Sequence, residues 1–202
     1  MPLDLFLALA AFAFVSSITP GPNNLMLMAS GANFGVLRTA PHMLGVGIGF
    51  TLMTMLVGLG VMRLLNAVPA SYTVLKLISV GYLLYLAWKI ASAAPLSKSD
   101  HAAQHAKPLT FLQAALFQWV NPKAWAMALT AVGAYSQVER PIISVLIVAL
   151  VFGAINLPTV SLWTIAGAQL RRLLSDPAKL RGFNITAGLL LAASAVPILS
   201  DF

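Results

Sequence analysis

Two short stretches bring together residue types that an apolar chain has little reason to carry. Residues 19–24 read TPGPNN, and residues 118–125 read QWVNPKAW. Proline lacks an N–H and clashes with the turn before it, so it stops a helix arriving from its N-terminal side. It is favoured at the first position of a helix that begins there. Asn121, just before Pro122, suits an N-cap. Thr19-Pro20-Gly21-Pro22 suits an irregular passage, with Gly21 free to take unusual dihedrals. A helix that starts inside a membrane presents free N–H groups and a positive dipole end, which together can hold a carboxylate. Asn23, Asn24 and Asn121 supply donors and acceptors suited to the ammonium and carboxylate of a zwitterion; helix capping would use them equally well. Lys123 lies about 14 residues into its apolar segment, near mid-membrane at ~1.5 Å per residue. An ammonium there marks function by default. It can meet a carboxylate, exchange a proton, or cap the carbonyls of the other break.

The elements that must position these residues follow from composition. The chain has 202 residues, 59% of them hydrophobic and 8% charged, with mean hydropathy +0.89. Soluble domains carry roughly 25% charged residues, so this chain cannot cover a water-facing surface and reads as an integral membrane protein. Its net charge of +7 is spread over several loops rather than gathered on one face, which argues for the loop bias of membrane proteins and against nucleic acid. The start MPLDLF lacks the basic region of a signal peptide, and the first apolar run is expected to be a retained span. There is no cysteine, hence no disulfide, thiolate metal site or cysteine nucleophile.

Six hydrophobic segments can be marked, at about 3–36, 41–62, 71–93, 109–135, 141–167 and 182–199. Helices are expected, because unpaired backbone groups are costly in lipid and the segments do not alternate as barrel strands do. The expected fold is an all-α integral membrane protein, a single transmembrane domain over 1–202. The polar stretch 94–108 divides it into halves of about 1–93 and 109–202. Residues 168–181 are expected to form a second basic loop. Arg38, Lys89, Lys98, Lys107, Arg171, Arg172, Lys179 and Arg181 fall on one side of a six-span chain, against Arg63 and Arg140 on the other. That bias puts both termini outside.

Pro22 and Pro122 are 100 residues apart, each in the first span of a three-span half. An odd number of spans per half makes the second half enter from the opposite side. Two inverted three-helix repeats with Pro-broken first helices are therefore expected.

The remaining polar residues have plainer readings. Asn156 and Pro158 predict a kink in the fifth segment, and Gln118 is ambiguous. Lys76 and Lys89 are expected to snorkel to the two interfaces. Tyr72, Tyr82, Tyr85 and Trp88 are expected as interface or packing aromatics, and Gly45 and Gly49 as a close helix contact. His42 is expected at an interface, and His101 and His105 as solvated residues rather than metal ligands. Asp4, Asp100, Glu139, Asp176 and Asp201 all fall at segment ends, in loops or in tails, so no acidic proton relay is visible within the spans.

TPGPNN (19–24) and NPKAW (121–125) resemble the two signature segments of the LysE/RhtB family of bacterial amino-acid exporters. The likeness continues in LKLISVGYLLYLAWKI (75–90), and in GAQLRRLL with the apolar span after it (167–199). It departs at Ser79-Val80, where many relatives carry Gly-Ala. Within the family, TPGPNN and YLAWKIA look most like the cysteine and O-acetylserine exporters. The resemblance implies a multi-pass protein of the bacterial inner membrane. Such a protein exports a small neutral amino acid or derivative, of the cysteine/O-acetylserine or homoserine/threonine type, as an antiporter driven by the proton motive force. It implies no cofactor and no metal. The expected partners are the amino acid and membrane lipid, and a homodimer stays open. The expected substrate-binding residues are Thr19, Pro20, Gly21, Pro22, Asn23, Asn24, Asn121, Pro122 and Lys123. The alternatives are a scaffold subunit, a channel, or an exporter of another small solute. A membrane-embedded enzyme would need a convergent nucleophile and base or a metal cluster, and neither is evident.

Overall fold

The computed structural model describes residues 1–61, 67, 70–93, 107–137, 139–174 and 176–200. Arg63, Lys98, Asp100, His101, His105 and Asp201, and most of the polar stretch 94–108, lie outside the described residues. All regular structure among the described residues is helical. The first apolar run is split into α1 (Leu3–Ile18) and α2 (Pro22–Phe34), which meet at a 56° bend. Gly35 alone then turns the chain, with φ 79, into α3 (Val36–Leu56), which continues through wider π-type turns to Val61 and kinks at Gly60 with φ 108. One glycine in the left-handed region is enough to end a helix, so no loop separates the first two segments. The next helices are α4 (Ala70–Ala91) and α5 (Phe111–Phe117), the latter extended by a 3₁₀ turn over Gln118–Val120. After Asn121 come α6 (Pro122–Tyr135), α7 (Pro141–Leu173), α8 (Pro177–Ala193) and α9 (Val196–Ser200).

Among the described residues, four helices are long and apolar enough to cross a membrane: Val36–Val61, Ala70–Ala91, Pro141–Arg171 and Pro177–Ile198. The bent pair α1 and α2 would make a fifth. The segment 109–135, expected as a span broken at Pro122, is two pieces, because Asn121 leaves the helix at φ −93, ψ 109. The later piece, α6, has 14 residues, ~21 Å at the helical rise and short of the ~30 Å hydrocarbon. The basic loop expected at 168–181 is also absent. α7 carries the chain to Leu173, and α8 begins at Pro177 with the Asp176 side chain accepting from Ala178 N–H at 2.8 Å. Gln, Leu and Arg are good helix formers, so the arginines extend α7 instead of ending it. Pro158 does not break α7, which runs unbroken over 33 residues.

α7 is the central helix, packed against α2, α3 and α1, while α4 packs on α8 and α3 on α5. Small residues let backbones approach, as membrane helices require without a hydrophobic force between them. A Cβ on Gly31 would collide with the Thr164 carbonyl of α7, and one on Gly167 with the Met28 carbonyl of α2. The Gly45 and Gly49 pair behaves as the sequence predicts, lying on the α5 backbone at Phe111 and Ala115. Tyr82 packs on Phe117, ring centroids 5.8 Å apart. Two apolar clusters result, one around Leu27, Val46, Leu83 and Phe117, the other around Leu9, Phe50, Ala128 and Phe152. The outward face is apolar too, with Leu7, Phe14, Ile48, Leu77, Leu150 and Leu189 all exposed.

Candidate functional site

The break after α1 strands the last carbonyls of a helix, and in a membrane interior every such group needs a partner. Side chains supply them one after another. Asn24 Nδ2 donates to the carbonyls of Ser17 and Thr19, both at 2.8 Å. Trp163 Nε1, from α7, donates to the Ile18 carbonyl at 3.2 Å. Lys123, from the other break, donates through Nζ to the Thr19 carbonyl at 2.5 Å, to Thr19 Oγ1 at 2.8 Å and to the Pro20 carbonyl at 3.3 Å. An ammonium there also complements the negative end of the α1 dipole. Of the readings open to Lys123 from sequence, capping the other break's carbonyls is what this conformation displays.

The two breaks are further tied by a reciprocal amide pair. Asn23 Nδ2 donates to Gln118 Oε1 at 2.8 Å, and Gln118 Nε2 donates back to Asn23 Oδ1 at 3.2 Å. Gln118 is fully buried and also donates to the Ala114 carbonyl at 2.8 Å. Asn121 caps α6 as its position predicts, its Oδ1 accepting from Lys123 N–H at 3.2 Å. Pro22 and Pro122 both open their helices.

Gly21 departs from its expected role. Its φ of −179 and ψ of 178 are extended backbone open to any residue. What it provides is room: a Cβ there would lie 2.6 Å from Lys123 Cδ. The lysine crosses the break where residue 21 has no side chain, and a Cβ there would push its methylenes aside.

Ser16, Ser17, Asn23, Asn24, Asn121, Lys123 and Asn156 surround a small polar cavity of about 20 Å³ between the two apolar clusters, with Phe50, Met127 and Val160 on its walls. That is room for about one water, so the breaks are drawn closed around it. Thr19 and Pro20 stand at its exposed edge, Asn23, Pro122 and Lys123 are half-buried, and Pro22, Asn24 and Asn121 are buried. Two of its polar features are unspent. No side chain caps the N-terminus of α2. Asn156 Nδ2 donates to Ser17 Oγ at 2.9 Å, while its Oδ1 is buried without a partner. The residues around the cavity therefore include both an uncapped helix N-terminus and an acceptor without a donor. Sequence reasoning missed Ser17 and Trp163 as parts of this site, and gave Asn156 only a kink. An asparagine inside a long apolar segment was the available signal. Among the described residues no group of three or more His, Cys, Asp or Glu could hold a metal ion.

The sequence pattern described as LysE type translocator matches residues 14–201. The chain is 29% identical over 200 residues to proteins named cysteine/O-acetylserine efflux protein from Escherichia coli (strain K12) and Shigella sonnei (strain Ss046), covering 98% of this chain and 99% of theirs. The same figures hold for the protein of that name from Escherichia coli O9:H4 (strain HS). No solved structure matches the chain.

Proposed function

The chain belongs to the LysE type translocator family, and we propose that it exports a small neutral amino acid or derivative from the cytoplasm, of the cysteine/O-acetylserine or homoserine/threonine class. The relatives' names support the substrate class. One observation carries the site: the uncapped N-terminus of α2 faces the cavity that also holds the unpaired Asn156 Oδ1. A zwitterion satisfies both, its carboxylate on the α2 N–H groups and its ammonium on Asn156 Oδ1.

The reading continues as a mechanism. The closed cavity is too small for an amino acid, so entry requires the breaks to part. Lys123 is the latch. An arriving carboxylate competes with the Thr19 and Pro20 carbonyls for its ammonium, and the Asn23–Gln118 pair opens with it. The halves about 1–93 and 109–202 then act as inverted three-helix repeats in the bacterial inner membrane, rocking about the breaks with both termini outside. Proton motive force drives the cycle as an antiport. Thr19, Pro20, Gly21, Pro22, Asn23, Asn24, Asn121, Pro122 and Lys123 form the substrate site.

Efflux from proteoliposomes tests this. Vesicles loaded with labelled cysteine, O-acetylserine, homoserine, threonine, leucine or lysine are diluted with and without a pH gradient. Saturable efflux of one neutral class, steeper with the gradient, is the expected result. Folded protein that moves none of these would sink the amino-acid reading.

A further inference from the structure

A second cavity, of about 140 Å³, lies between α2, α3, α4 and the segment leading into α5. His42 lines it and is 2% exposed, yet neither ring nitrogen has a partner. Buried polar groups are paired almost without exception, so an orphaned imidazole on a cavity wall points to a ligand. Its direction follows from the helix. His42, Gly45 and Gly49 share one face of α3, and the two glycines lie on α5. Lys107 and Leu109, which lead into α5, line the same cavity as His42.

The other polar neighbours are already committed. Ser30 Oγ pairs with Thr39 Oγ1 at 3.0 Å. Asn33 spends its amide on the Ala29 carbonyl and on Asn184, both at 2.8 Å. Among the described residues, the charged groups lining the cavity are Lys89 from α4 and Lys107 from the segment before α5, both exposed, and no carboxylate lines it. Arg38 stands behind the wall, stacked 5.6 Å over the Phe34 ring. The remaining wall is apolar, with Met26, Leu86 and Ile90. Two cations and an unpaired imidazole on the wall of a largely apolar chamber fit a small molecule with a carboxylate and a short uncharged side chain. An engineered cavity of about 150 Å³ takes a six-atom ring, so the chamber is the size of a small amino acid. α2 joins the two cavities: Ser30 follows Asn23 by two turns, about 10 Å at the helical rise.

We propose that this cavity is a second binding site for a small carboxylate-bearing amino acid, held by His42, Lys89 and Lys107 before it passes along α2 to the breaks. The inference rests on the transport reading above for its direction of passage, and on the cavity alone for binding.

The chain contains no cysteine, so Ala93→Cys, on the cavity wall, gives a unique reporter. The full chain in phosphatidylcholine nanodiscs is labelled with an uncharged maleimide, with and without O-acetylserine. At ten times its half-saturating concentration a ligand covering the site slows labelling by about tenfold. That protection is expected, as is its absence with the decarboxylated analogue, O-acetylethanolamine. His42→Leu and, separately, Lys89→Gln with Lys107→Gln should abolish it in monodisperse protein, while Lys123→Met leaves it in place. No protection in the Ala93→Cys chain overturns the proposal, as does protection that survives both sets of variants or vanishes with Lys123→Met. Protection by phosphatidylglycerol in the disc, without amino acid, overturns it in favour of a lipid site. Protection without efflux would sink the transport reading and keep this site; efflux without protection would do the reverse.

Discussion

Lys123 Nζ and the Thr19 carbonyl, 104 residues apart in sequence, meet at 2.5 Å. This contact joins the end of one broken helix to the start of another, and it makes each break depend on the other. Removing the ammonium takes the donor from Thr19 Oγ1 and the Pro20 carbonyl and leaves the Thr19 carbonyl with Asn24 alone. Lys123→Met is therefore expected to lower the melting temperature in detergent and to abolish efflux. Lys123→Arg should keep most of the stability but little of the efflux, because a planar guanidinium does not fit a site cut for a point charge. Wild-type efflux by Lys123→Met would remove the latch from the mechanism.

Gly21→Ala tests the crossing itself. The backbone there tolerates alanine, so the change acts only by pushing the lysine chain aside. Efflux should fall by about tenfold, the equivalent of ~1.4 kcal/mol, with the melting temperature within a few degrees of wild type. A large loss of folding would show that the passage has a strict conformational need after all.

Asn23 and Gln118 lend themselves to a double-mutant cycle. Asn23→Ala leaves the buried Gln118 Oε1 without its donor and Gln118→Ala leaves the half-buried Asn23 amide unpaired, whereas the double variant removes both. The two effects should be non-additive by about 0.6 kcal/mol, the mean coupling for membrane hydrogen bonds, with about 1.7 as a ceiling. Unfolding in a denaturing detergent supplies the measurement, and simple additivity would mean the amides do not hold the breaks together.

Asn156→Leu removes the free acceptor without emptying the volume. The concentration of substrate giving half-maximal efflux should rise by about tenfold or more, since hydrogen bonds to a charged group are worth about 1.5–3 kcal/mol. A substrate analogue lacking the ammonium should be indifferent to the change. Equal loss for both would place the effect in packing instead.

The glycines divide into two groups with opposite predictions. Gly31→Val or Gly167→Val forces α2 and α7 apart and should prevent recovery of monodisperse protein. Gly133→Ala and Gly182→Ala meet nothing within 4 Å and sit inside helices. They should be neutral or stabilise by up to ~1 kcal/mol, the helix propensity difference. Thermal melts of the four variants decide it.

The sequence carried the chemistry of the breaks well, and their architecture less so. Proline at the first helical position and asparagine before it are local rules, and Pro22, Pro122 and Asn121 obey them. The contact between the breaks was legible only as a hypothesis from spacing, because nothing local says which carbonyls Lys123 will find. Trp163 and Ser17 were invisible because their roles depend on α7 lying beside α1. The lengths of α3 and α7 were misjudged at their basic ends, where arginine reads equally well as loop or as helix. His42 was expected at an interface from its place near a segment start; the packing of α5 over that start buries it.

Asn33 reaches across 151 residues to Asn184. A ribosome adding about 5–20 residues per second needs roughly 8 to 30 seconds to deliver that partner. Until then Asn33 lacks its partner on α8, and Gly31 waits for most of that time for the α7 backbone it packs on. The newborn first half is thus a client for whatever holds unfinished helices at the insertion machinery. Its tolerance of mutation will be set as much by that wait as by the finished transporter.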